Sequence, residues 1–72
     1  MNQRFLIDEP KFFPVPLPGK VTVEITSDQD GRIAFQSSYY PAKLHYPQPA
    51  TILKPGTPVQ VVGRIGLTLL VK

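Results

Sequence analysis

The sequence predicts an all-β fold, a small five-stranded β-barrel preceded by a proline-rich extended arm, and three observations predict it. Apolar and polar residues alternate at period two through most of residues 20–72, the pattern of strands with one buried face. Nine prolines, each lacking an N–H and holding φ near −65°, leave no room for a long helix before Pro58. Two short glycine-bearing segments, Asp28-Gln29-Asp30-Gly31 and Gly63-Arg64-Ile65-Gly66, separate alternating runs as hairpin turns do. With 72 residues the chain holds one domain. Closing its sheet removes edges that so small a sheet would otherwise expose.

Residues 1–18 read as the arm. Pro10, Pro14, Pro16 and Pro18 are interleaved with Lys11, Phe12-Phe13, Val15 and Leu17, a spacing that suits polyproline II and argues against a helix or a central strand. Such an arm is either a ligand for a proline-reading domain or a stiff cover laid over its own barrel. The second reading is favoured, because an exposed phenylalanine pair invites association, and it makes Phe12 and Phe13 the candidate arm contacts.

Residues 19–72 read as the barrel domain. Val21, Val23 and Ile25 alternate with Thr22, Glu24 and Thr26 in a first strand; Ile33, Phe35, Ser37 and Tyr39 continue the period in a second. For both sets to share a face, the loop between them must be odd in length. Gln29-Asp30-Gly31 supplies that, with Gly31 left-handed, and opposes Ile25 to Phe35, Val23 to Ser37 and Val21 to Tyr39. Tyr40–Tyr46 reads as a third strand, bent at Pro41. Prolines 47, 49 and 55 then limit Thr51-Ile52-Leu53 to a short strand or one helical turn, and Lys54-Pro55-Gly56-Thr57 has the proline-then-glycine centre of a type II turn. At the C-terminus the same parity argument places Val59, Val61, Leu69 and Val71 on one face across an odd loop Arg64-Ile65-Gly66. The expected core is Val21, Val23, Ile25, Ile33, Phe35, Leu44, Val59, Val61, Leu67, Leu69 and Val71. Val62 and Leu70 fall on the opposite face.

Composition excludes several chemistries. No cysteine and a single histidine, His45, cannot supply the three or four ligands of a usual zinc or iron site, and no disulfide framework is available. No glycine-rich phosphate loop is present, so no metal and no cofactor is expected. Ser37, Ser38, His45 and Asp28 or Asp30 hold the letters of a hydrolase triad, but no glycine-flanked nucleophile turn surrounds either serine and the strand register turns Ser37 inward. The chain is expected to be no enzyme. Eight Lys and Arg against five Asp and Glu leave a net charge of +3, and the cations are spread evenly rather than in a block. Neither a signal-peptide core nor a run of about 18–20 apolar residues appears, so the expected location is cytoplasmic.

One resemblance sharpens this reading. Gly31-Arg32-Ile33-Ala34-Phe35-Gln36, Tyr39-Tyr40-Pro41-Ala42, then Ile52, Gly56, Val59-Gln60-Val61-Val62-Gly63-Arg64 and Gly66-Leu67-Thr68-Leu69-Leu70-Val71 resemble the C-terminal domain of NfeD-family proteins over about residues 17–72. The resemblance implies a five-stranded OB-like barrel with no substantial helix between its third and fourth strands. It also implies a non-enzymatic protein-interaction role with stomatin-like (SPFH) membrane protein assemblies, in membrane protein quality control. The membrane spans and protease domain of longer family members have no counterpart here, so proteolysis does not carry over and any membrane contact runs through a partner. The candidate partner surface is Tyr39, Tyr40, Lys43 and Arg64, or the face carrying Val62 and Leu70.

The alternative is single-stranded nucleic-acid binding. OB barrels bind oligonucleotides on their second and third strands and adjoining loops, where Arg32, Tyr39, Tyr40, Lys43, Tyr46 and Arg64 interleave cations with aromatics. Against it stand Asp28 and Asp30 in the first loop and the inward register expected of Tyr39.

Overall fold

In the computed structural model, which describes residues 9–46 and 48–72, every regular element is a strand. In order they are β1 (Lys11–Val23), β2 (Ile25–Thr26), β3 (Gly31–Phe35), β4 (Ser38–Leu44), β5 (Ile52–Leu53), β6 (Pro58–Ile65) and β7 (Thr68–Val71). Residues 1–8, where a signal-peptide core is not expected, lie outside the described residues, as does Pro47. Among the described residues no helix is long and apolar enough to cross a membrane.

Five strands close into a barrel in the order β1-β3-β4-β7-β6, with β2 and β5 forming a separate two-stranded ladder. All barrel pairs are antiparallel except β4 with β7, whose parallel register Ala42↔Leu69, Lys43↔Leu70 and Leu44↔Val71 closes the cylinder. Long β1 reaches both β3 and β6, which lets one strand serve two halves of the sheet. This is a five-stranded OB-like barrel, and the all-β fold follows the expectation. Val21, Ile25, Ile33, Phe35, Ala42, Leu44, Val59, Val61, Leu69 and Val71 fill it. Alternation along each strand sends these residues inward and their neighbours out.

The arm and the barrel are not separate at residue 18. β1 runs through that point, and its first residues are already paired with β6 as Lys11↔Arg64 and Phe12↔Gly63. Between Phe12 and Leu17, which pairs with Val61, the register shifts, so Phe13, Pro14, Val15 and Pro16 bow out of the ladder opposite Val62. A bulge is where proline's missing N–H costs least. The bow places Phe13 against the core and leaves Phe12 outside.

The first hairpin departs from the expected register. Gln36 and Ser37 have φ of 51° and 68°, and Phe35 pairs with Ser38, so the chain reverses there in a two-residue turn of the I′ kind. Residues 38–44 then form one strand instead of the end of one and the start of another. Val21 faces Ile33, not Tyr39. Ser37 is an exposed turn residue, Tyr39 points outward at 67% exposure, and Tyr40 takes the inward position.

The connection between β1 and β3 also differs. Thr26 and Gln29 exchange both backbone hydrogen bonds, at 2.9 and 3.3 Å, and β2 pairs with β5 through Ile25↔Leu53 and Thr26↔Ile52. Gly31 is not left-handed. It pairs with Ala42 inside β3, where a Cβ would collide with the carbonyl oxygens of Val23 and Glu24.

The two later turns divide. Lys54-Pro55-Gly56-Thr57 is the expected turn, with Gly56 at φ 94° and the Thr57 N–H donating to the Lys54 carbonyl at 3.1 Å. The last hairpin is shorter than expected: Ile65 pairs with Thr68, leaving only Gly66-Leu67, with Gly66 at φ 60°. The odd residue that parity demands sits at a bulge between Val61 and Gly63. Leu67, expected in the core, is therefore a turn tip at 81% exposure, and Val23, also expected there, is 46% exposed beside a third bulge.

Candidate functional site

The sequence-chosen surface residues divide between two outer faces and the interior. Tyr40 lies inside, half-buried and edge-on to Phe35 with ring centroids 6.1 Å apart. Leu70, expected on an open face, is only 5% exposed. Val62 is half-buried at the β6 bulge. These three offer little free surface.

The burial of Leu70 has a structural cause. Register aligns Phe12, Gly63, Leu70 and Lys43 in one row across β1, β6, β7 and β4. Gly63 has no side chain to hold the row apart; a Cβ there would strike the Lys11 carbonyl oxygen and lie 3.1 Å from the Phe12 ring. Phe12 thus lies low over β6 and meets His45 with ring centroids 5.1 Å apart. His45 follows β4, its N–H donating to the Val71 carbonyl at 2.9 Å, and its ring touches Tyr46 at 4.1 Å between centroids. Phe12 and His45 thus meet across β6 and β7, the two strands between their carriers, and Leu70 of β7 is buried in that row. The result is an aromatic cluster on the outside of the barrel, with Phe12 56% and Tyr46 71% exposed. Arg64 belongs to the neighbouring row, with Lys11 and Leu69, and its Nη1 donates to the Gly66 carbonyl at 2.9 Å. His45 and Tyr46 are absent from the expected partner surface because the alternation carries Tyr40–Tyr46 on as one strand, whereas β4 ends at Leu44 and the chain bends at His45-Tyr46.

The second face belongs to β1, β3 and β4. One cross-strand row reads Lys20, Ala34, Tyr39 and the next reads Val23, Arg32, Pro41, with Lys43 two positions beyond Pro41. Lys20, Arg32 and Tyr39 are exposed and Lys43 is half-buried. The described acidic residues lie elsewhere: Glu9 precedes β1, and Glu24, Asp28 and Asp30 occupy the β1–β3 connection. Asp28 is held there by its N–H donating to Thr26 Oγ1 at 3.2 Å.

The hydrolase letters do not assemble. Ser37 precedes β4 in the turn, Ser38 begins it and His45 follows its end, about 20 Å away along an extended strand. Among the described residues no three His, Asp or Glu side chains gather as a metal-ligand group. No protein-family model, no curated protein and no solved structure matches this chain.

Proposed function

We propose that the chain is a non-enzymatic protein-interaction module similar to the C-terminal domain of NfeD-family proteins, engaging a stomatin-like (SPFH) membrane protein assembly through the Phe12, His45 and Tyr46 cluster. The observation that carries this reading is the cluster itself. Aromatic rings are enriched at protein interfaces and dominate their energetics, and here His45 contacts both Phe12 and Tyr46, which are each more than half exposed. The OB-like barrel supports the same reading, since the motif resemblance implies that fold. The protein would then work in the cytoplasm and reach a membrane only through its partner.

The test uses the purified protein immobilised against a purified SPFH-domain protein. Tyr46→Ser, at an exposed position, should leave the melting temperature unchanged and weaken retention about tenfold or more, the loss of one interface hot spot. Absence of retention by the unaltered protein overturns the proposal, as does full retention by Tyr46→Ser.

A further inference from the structure

We infer that the other outer face, formed by β1, β3 and β4, is a binding site for single-stranded nucleic acid. The site adjoins the aromatic cluster at Lys43, which shares a cross-strand row with Phe12, and does not depend on that cluster.

The argument begins with spacing. Directly opposed residues on neighbouring antiparallel strands have Cβ atoms about 5 Å apart, so Lys20 and Tyr39, each opposite Ala34, stand about 10 Å from one another across its methyl group. That gap is a shallow slot with a small apolar floor, a cation on one wall and an exposed ring on the other. A nucleobase presents a flat face to an aromatic ring and a phosphate within reach of a nearby cation, which is the pairing that sequence-tolerant single-strand binders use. Arg32, two residues from Ala34 on the same strand, and Lys43, beyond Pro41 on β4, extend the positive charge past the slot.

Charge placement sets the path. No acidic residue occupies the two cross-strand rows, while Glu24, Asp28 and Asp30 edge the face at the β1–β3 connection. A polyanion is therefore steered from Lys20 across Arg32 toward Lys43 and kept off that connection. Tyr39 decides between polyanions: an acidic peptide needs the cations alone, whereas an exposed ring beside a vacant slot adds a stacking platform that only a base uses fully. The outward turn of Tyr39, caused by the Gln36-Ser37 reversal, removes the register objection drawn from the sequence.

The test is fluorescence anisotropy of a labelled oligo-dT with the full chain at rising salt. Three phosphate contacts on a single strand predict a slope of log K against log salt of about −2. Tyr39→Ala should weaken binding roughly five- to a hundredfold with the slope unchanged; Arg32→Ala should make the slope shallower by about 0.7. Both positions are exposed, and thermal melts verify that both variants fold. No anisotropy change at low salt overturns the inference. So does binding indifferent to Tyr39→Ala, or polyglutamate competing as well as unlabelled oligo-dT, either of which would mark the face as a general cationic surface for acidic proteins.

Discussion

Phe13 stacks on Phe35, ring centroids 6.4 Å apart and planes within 8° of parallel, while the preceding residue, Phe12, lies on the outside of the barrel against His45. One bowed strand thus uses adjacent phenylalanines on opposite sides. Phe13 continues the aromatic series Phe35 and Tyr40 at the end of the core, where β1 would otherwise leave the barrel open.

The two phenylalanines should differ in weight. Phe13→Ala removes a half-buried ring from the core, and since full burial makes a Phe→Ala change cost about 3–5 kcal/mol, about 2 kcal/mol is expected here. In a domain of this size that lowers the melting temperature by about 10 °C. Phe12→Ala, whose ring is 56% exposed, should cost about half as much. Equal shifts for the two variants in thermal melts would contradict the division between inside and outside.

Gly63 should prove the point on which the low seat of Phe12 over β6 depends. In Gly63→Val the new side chain meets the backbone of Lys11 and Phe12, and overpacking of this kind costs about 1–3 kcal/mol. Because the displaced segment is the chain's own first strand, the loss should appear locally: chymotryptic cleavage after Phe12 should accelerate more than global unfolding does. Leu70→Ser, in contrast, destabilises the whole barrel by burying a hydroxyl in place of an isobutyl group. Cleavage in Gly63→Val at the rate of the unaltered protein would show that Phe12 is held by something other than its seat on Gly63.

Much of the barrel was legible in the residues, and the errors lie at the points where the chain bulges or reverses. Period two reports faithfully which residues of a strand share a face, so Val21, Ile25, Ile33, Phe35, Leu44, Val59, Val61, Leu69 and Val71 were correctly placed inside. Parity across a turn is less secure, because a bulge changes it by one residue and leaves no compositional mark. Val62 is such a case: it supplies the odd residue sought in the loop, and Leu67 is exposed as a consequence. The site suffered in the same way. Tyr39 and Tyr40 are adjacent and alike, so their facings depend wholly on where the chain reverses. The meeting of Phe12 with His45 was invisible because it joins β1 to the end of β4 across Gly63 of β6, strands whose order the alternation does not reveal.

That reversal yields the sharpest stability prediction. Gln36 and Ser37 both have positive φ, a conformation that costs an ordinary L-residue about 1–2 kcal/mol because Cβ crowds the carbonyl oxygen. A two-residue turn of this handedness favours Asn followed by Gly, and neither residue is present, which is why the alternating run reads straight through to Tyr39. The double variant Gln36→Asn/Ser37→Gly relieves the strain at both positions. Part of the gain is offset because glycine loses more chain entropy on folding, leaving a net stabilisation of about 1–2 kcal/mol. Thermal melts should show a rise of about 5–15 °C. Both positions are exposed, so no packing change competes with the backbone effect. A melting temperature unchanged or lowered would mean that the chain does not reverse at Gln36-Ser37, and Tyr39 would then lose its outward position together with the slot beside Ala34.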